Sequence, residues 1–150
     1  MRASIIGFLL AMVSFGALAG VDTSTNKNGV ILAGYDTVAY FTQGKPVKGN
    51  ADITAKYNDA IYQFSSEEHR DLFVANPAKY APAYGGFCAF GASFGKKFAV
   101  NGKAFEIVDG QLYVNKNQSV YRTWKKDIPG NISKADANWP QIENIAARDL

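Results

Sequence analysis

The sequence predicts a single small α+β domain, in which short antiparallel strands and hairpins pack with about three helices. Three observations support this prediction. Two pairs of short apolar segments are each joined by a two-residue turn, and a helix-start signal follows the first pair. Past an N-terminal leader, about 130 residues remain, enough for one core and too few for two ordinary domains. The single cysteine forms no internal disulfide, so the core alone must hold the fold, and the 18 aromatic residues that follow the leader (eight Phe, eight Tyr, two Trp) can bury large areas there.

Residues 1–19 have the pattern of a cleaved signal peptide. Arg2 precedes an apolar run that ends in Ala17-Leu18-Ala19. The run is shorter than the ~20 residues that span a bilayer. We therefore expect cleavage near Gly20, a periplasmic or secreted protein, and no stable membrane insertion after processing.

The first residues of the processed chain, 20–29, are small and polar and predict a flexible lead, followed by the domain at 30–146. The apolar stretch Val30–Phe41 is interrupted at Gly34-Tyr35-Asp36 and predicts two short extended pieces. Without Arg2 the formal charge is about +2, and its basic residues are scattered. This charge pattern gives no reason to expect a nucleic-acid partner.

Two β-hairpins are expected. Alternation of apolar and polar residues over 53–57 and the aromatic run 60–64 flank the turn Asn58-Asp59. The apolar runs 105–108 and 111–114 flank Asp109-Gly110, a strong hairpin signal because both turn residues must adopt positive φ.

A helix is predicted after the first hairpin. Ser65 and Glu68 have capping-box spacing, and Pro77 predicts that the helix stops at Asn76. His69, Leu72 and Phe73 lie at helical spacing, which predicts that this stripe is buried.

The segment 77–97 fits neither helical nor strand periodicity and predicts a packed irregular loop. Two C-terminal helices are expected, one over about 118–126 and one that starts after Asn131 or Ser133 and breaks at Trp139-Pro140. The sequence contains no evident internal repeat.

His69 and Cys88 are the candidate chemical residues, because a structural zinc site needs about four Cys or His ligands and this chain has only these two. Imidazole and thiolate suit a soft metal such as copper. They also suit a thiol nucleophile with a histidine base, or an oxidisable thiol. The alternative is structural: a hydrogen-bonded core histidine and a small buried cysteine.

A weaker candidate is an aromatic pocket for a planar ligand, lined by Tyr84, Phe87 and Phe90. Core packing explains the same aromatic residues.

Several segments, in order, resemble the exported stand-alone YHS-domain proteins. They are Gly34–Phe41, Tyr62–Ser66, Asn76–Pro82, Tyr84–Ala89, Asp109–Asn115, Trp124, Ala135-Asp136 and Trp139-Pro140. The resemblance implies a YHS-like fold. Related modules attached to copper-transporting ATPases carry an F-C-S-x-x-C segment, and Ser65 and His69 stand here at its two cysteine positions.

The function expected from the residues and the resemblance together is an extracytoplasmic binding module rather than an enzyme, with enzymatic activity left open. Its ligand would be a small molecule or a soft metal ion, copper first, with Cys88 as thiolate donor and His69 as imidazole donor. The alternatives are a thiol-based enzyme or redox sensor that uses Cys88, and an interaction module without chemistry.

Overall fold

Both predicted hairpins are present in the computed structural model, which describes residues 20–150; the predicted signal peptide lies outside the described residues. The strands are β1 (Asn50–Tyr57), β2 (Ala60–Phe64), β3 (Asn101–Val108) and β4 (Gln111–Asn115). β1 pairs with β2 and β3 with β4, both antiparallel. All four turn residues have positive φ, as a type I′ hairpin requires.

The described residues form six α-helical segments, which confirms the α+β class but exceeds the three helices expected. They are α1 (Thr37–Thr42), α2 (Glu67–Ala75), α3 (Pro77–Tyr80), α4 (Ala89–Ala92), α5 (Gln118–Trp124) and α6 (Ile128–Ile142). The extra helices α1, α3 and α4 have four to six residues each, too few for a helical period to show in the sequence.

Of the two extended pieces expected over 30–41, the first is confirmed at Val30 and Ile31, which form isolated bridges with Ile61 and Thr25, and the second is wrong. A 3₁₀ turn covers Leu32–Gly34, and α1 follows. Asp36 explains the difference, because its Oδ1 accepts from the backbone N–H groups of Val38 at 2.9 Å and Ala39 at 3.2 Å. This N-cap starts a helix in a stretch whose side chains favour a strand.

The helix after the first hairpin is capped one residue later than expected. The Ser66 hydroxyl, rather than that of Ser65, accepts from the N–H of His69 at 3.1 Å. The predicted stop at Asn76 is confirmed. Phe73 is buried as expected, while Leu72 is 38% exposed, so the buried stripe is narrower than its spacing suggests.

The predicted break at Trp139-Pro140 is wrong, because α6 continues through Pro140 to Ile142. Pro140 lies in the last turn of α6 and has no N–H to donate to the carbonyl of Asp136. Asp136 is exposed to solvent. The helix also starts earlier than expected, since Asp127 accepts from the N–H of Gly130 at 3.0 Å and Pro129 occupies the first turn.

The structure contains a repeat that the sequence analysis missed. The elements of the first half recur 51 to 52 residues later in the same order: a 3₁₀ turn, a short helix, an eight-residue strand, a five-residue strand and a helix. Phe73 of α2 and Trp124 of α5 are equivalent, and both are buried against a strand tyrosine. The two halves share the order and spacing of their elements, whereas most equivalent positions carry different residue types, so the sequence does not reveal the repeat.

Strand β4 lies between two hydrophobic clusters. Leu112 and Val114 belong to the larger cluster with Phe64 and Phe73, whereas Tyr113 belongs to a second cluster with Trp124. Side chains alternate between the two faces of a strand, so β4 supplies both clusters. Strand β4 therefore packs into both clusters and connects the two halves of the domain.

The segment 20–29, expected to be a flexible lead, contacts later parts of the chain. The N–H of Asp22 donates to the carbonyl of Glu143 at 2.7 Å, and that of Ser24 to Gly85 at 2.8 Å. The ammonium of Lys97, with no exposed side-chain surface, lies 3.2 Å from the carboxylate of Asp22. We call residues 21–25 the N-terminal strap.

None of the helices formed by residues 20–150 is long and apolar enough to cross a membrane.

Candidate functional site

Asp36 is the centre of a polar corner where α1, the end of β2 and the start of α2 meet. Its side chain is fully buried. Besides capping α1 through Oδ1, it accepts at Oδ2 from the N–H of Ser65 at 2.8 Å and from the Ser65 hydroxyl at 2.6 Å. These partners explain how a buried carboxylate is tolerated.

His69 is the remaining partner of this carboxylate. Its Nδ1 lies 2.6 Å from Asp36 Oδ2, and its side chain is 12% exposed. Nδ1 is placed to donate to this carboxylate, and in the neutral tautomer that does so Nε2 carries the lone pair. Nε2 lies 3.4 Å from the hydroxyl of Thr42, which also contacts the carbonyl of Val38 at 3.2 Å. The imidazole is thus oriented by a buried carboxylate and directs Nε2 toward an exposed threonine.

Cys88 is buried in a corner of the second half. The residue is 1% exposed. Its Sγ lies 3.5 Å from Oδ1 of Asn115 and accepts from the N–H of Lys116 at 3.3 Å. Asn115 also accepts from the N–H of Phe90 at 3.1 Å, which ties the thiol to the start of α4. These contacts favour the structural interpretation of this cysteine.

The repeat explains why His69 and Cys88 have no shared partner. Cys88 precedes α4 as Asp36 precedes α1, and the N–H of Lys116 contacts its sulfur as the N–H of Ser65 contacts Asp36. Val120 occupies the position equivalent to His69. Within residues 20–150, no hydrogen bond joins His69 to Cys88, and no group of three or more His, Cys, Asp or Glu side chains is placed to hold a metal ion.

A cleft of about 230 Å³ lies between the first hairpin turn, the segment 78–85 and α6. Tyr84 is the one residue of the expected aromatic pocket that lines it. The other aromatic side chains in its wall are Tyr57, Tyr62 and Trp139. We call this the Tyr84 cleft; polar residues Asn58, Gln111 and Glu143 lie along it.

The backbone at the Tyr84 cleft is held in an uncommon conformation. Tyr84, Gly85 and Gly86 all have positive φ, at 56°, 61° and 79°. A Cβ on Gly85 would lie 2.4 Å from the carbonyl oxygen of Asp22, so only glycine lets the N-terminal strap approach here. A tyrosine in this region costs free energy and points to a constrained position.

The Tyr84 hydroxyl is fixed as well. It donates to the carboxylate of Asp136 at 2.9 Å, and its ring packs 5.9 Å from that of Trp139. Burial, followed by this hydrogen bond, raises the pKa of Tyr84. The ring therefore presents a rigid, neutral aromatic wall.

Phe87 and Phe90 do not line the Tyr84 cleft. Phe87 borders a separate depression beside Asp22 and Lys97. Phe90 packs edge-on against Phe94, with ring centroids 5.0 Å apart. The three predicted pocket residues therefore lie in three different places. Nothing in the sequence indicates that Trp139 and Tyr57 line the cleft, because both are distant from Tyr84 along the chain.

Comparison with known proteins adds no relative: no protein-family model, no curated protein and no solved structure matches this chain.

Proposed function

We propose that this chain is an extracytoplasmic YHS-type binding module that holds a small planar ligand in the Tyr84 cleft. The observation that supports this proposal is a cleft walled by four aromatic side chains and built on a constrained backbone. Binding sites combine mostly apolar walls with a few placed polar groups.

The size of the cleft limits the ligand. About 230 Å³ is below the ~300–1,000 Å³ of sites for drug-sized molecules. A single planar ring fits this volume, with one face toward the aromatic wall and a polar edge toward Gln111 and Glu143. The amide of Gln111 is held in place because its Nε2 donates to the carbonyl of Ala81 at 2.9 Å.

Tryptophan fluorescence tests the proposal with monocyclic heteroaromatic probes. The chain has two tryptophans; Trp124 is fully buried, and Trp139 lines the cleft. A bound ring should change the emission of the wild type and of Trp124→Phe, but not that of Trp139→Phe. Near-ultraviolet circular dichroism checks the folding of each variant.

A matched pair of filling variants sharpens the test. Ala78 is exposed and lines the cleft, so Ala78→Phe should block it and lower probe affinity at least tenfold, about 1.4 kcal/mol. Ala75 is also exposed, on α2, and does not line the cleft, so Ala75→Phe should bind as the wild type does. Equal affinities for the two variants would contradict the proposal.

Transient binding of a soft metal, copper first, is a second candidate function. The orientation of His69 by Asp36 favours it, because metal-binding histidines commonly donate their other ring N–H to a carboxylate. The ligand pair expected from the sequence does not fit a joint site, since Cys88 is buried in the other half. His69 Nε2 is therefore the protein donor in this proposal.

Copper(I) titration of the reduced, processed protein separates the two donors. Binding through His69 should be lost in His69→Gln and retained in Cys88→Ser. A stoichiometry that falls only in Cys88→Ser would assign the metal to the thiol instead. The same copper(I) stoichiometry in both variants and the wild type would show that neither residue binds the metal.

A further inference from the structure

Three phenylalanines form an apolar patch around Gly91 of α4. Phe94 and Phe98 are 66% and 44% exposed. Phe94 packs against Phe90, and a Cβ on Gly91 would lie 2.6 Å from the ring of Phe98. Glycine at position 91 therefore lets the Phe98 ring lie directly on the helix that carries Phe90. We call Phe90, Phe94 and Phe98 the phenylalanine patch.

The phenylalanine patch lies in a stretch without acidic side chains, although one of its lysines, Lys97, is buried and paired with Asp22. Residues 72–105 contain no Asp or Glu, but four lysines. Lys116, which directly follows β4, places its ammonium 5.2 Å from the centre of the Phe98 ring. Lys96 is exposed next to Phe94 and donates to the carbonyl of Leu150. The patch thus combines exposed rings with cations and has no acidic residue within its own stretch.

The repeat shows that this composition is specific to the second half. Thr42 and Pro46 occupy the positions of Phe94 and Phe98 in the first half. Thr42 is exposed, and its hydroxyl donates to the carbonyl of Val38 in α1. The same backbone position is therefore compatible with a polar side chain, and packing does not require phenylalanine there.

We propose that the phenylalanine patch docks the protein on an anionic phospholipid surface. Exposed aromatic side chains enter the boundary between headgroups and acyl chains, while lysines beside them contact lipid phosphates. An acidic protein would match the lysines but not the apolar rings, and a second copy of this chain would bring lysines against lysines. A lipid surface fits both features.

Vesicle flotation tests this proposal on the protein expressed with its own leader, with its N terminus verified by intact mass. The protein should float with phosphatidylcholine vesicles that contain phosphatidylglycerol, and far less with phosphatidylcholine alone. Phe94→Ala/Phe98→Ala should lower its partition coefficient at least about tenfold. Lys116→Glu should lower it on the anionic vesicles only.

Val74→Ala is the matched control, because Val74 is 61% exposed on α2, which packs on the first hairpin. It should float as the wild type does. Flotation that is absent, equal on both vesicle types, or unchanged in the double variant would overturn the proposal. Concentration-dependent self-association that is lost in the double variant, without vesicle binding, would assign the patch to a second copy instead.

Discussion

The Nδ1 atom of His69 lies 2.6 Å from Oδ2 of Asp36, a carboxylate with no exposed surface. The two residues are 33 positions apart: Asp36 precedes α1 as its N-cap, and His69 lies in α2, beyond the first hairpin. The same carboxylate caps α1 and binds Ser65, so a single side chain fixes the geometry of the corner and orients the imidazole.

Replacing Asp36 by Asn should destabilise the fold by about 2–4 kcal/mol, because one acceptor oxygen becomes a donor that faces other donors. Urea unfolding measures this change. Asp71→Asn is the control, since the Asp71 side chain is 72% exposed, and it should change the free energy of unfolding by about 0.5 kcal/mol or less. Equal effects would mean that the corner does not depend on Asp36.

The Cys88 thiol should react slowly with alkylating reagents in the folded protein and rapidly in urea, because the residue is 1% exposed. Cys88→Ser should cost about 1–2 kcal/mol of stability. Rapid alkylation of the native protein would contradict the buried, structural role of Cys88. It would favour the alternatives in which this thiol is a nucleophile or a redox sensor.

Phe73→Ala should cost about 3–5 kcal/mol, as truncation of a core aromatic does. Phe73 is 1% exposed and its ring lies 4.5 Å from that of Tyr62. Glu67→Ala, at an exposed position in the first turn of α2, should cost far less, limited to its interaction with the helix dipole. Urea melts compare the two, and equal costs would show that the packing of α2 is misassigned.

Stability should fall as the pH rises above about 10. Burial raises the pKa of Tyr40, Tyr62 and Tyr84, and burial with a hydrogen bond to Glu106 raises the pKa of Tyr121 to about 12. In the folded protein these phenols keep protons that the unfolded chain loses near pH 10. Their contribution is therefore complete below pH 10 and is lost as the pH rises through the folded values.

Tyrosinate absorbance measures this titration. Some of the eight tyrosines should ionise only when circular dichroism shows unfolding, and Tyr84→Phe should remove one of them. Ionisation of all eight before unfolding would contradict the expectation.

Gly85→Ala should be more destabilising than Gly95→Ala. Both glycines have positive φ, 61° and 73°, so both substitutions have the same backbone cost of about 1–2 kcal/mol. A Cβ at Gly95 meets no atom within 4 Å, whereas one at Gly85 meets the backbone of the N-terminal strap. The difference in urea midpoint measures that steric contact, and equal midpoints would show that the strap moves aside freely.

Local signals predicted the hairpins and the stop of α2, because a two-residue turn or a proline acts over a few neighbouring residues. Asn58-Asp59 and Asp109-Gly110 are the turns that the structure contains. The caps of α1 and α6 were missed although Asp36 and Asp127 are good capping residues, because the side chains that follow them favoured other structures.

The candidate site depended on contacts that no local pattern records. The partner of His69 is 33 positions away, and Tyr84 and Trp139 are 55 positions apart. The separation of 19 positions between His69 and Cys88 gave no information on their distance in space. Only the repeat, seen in the order of the elements, explains why they lie in separate corners.

The N-terminal strap also constrains when the fold can be completed. Asp22 bonds to Glu143, and Lys97 contacts both the strap and the carbonyl of Ile145. A chain that leaves the ribosome, or crosses a membrane, from its N terminus delivers Asp22 long before these partners. Closure of the strap must wait until Glu143 and Ile145, which follow α6, have emerged, so this contact forms late in the synthesis of the domain.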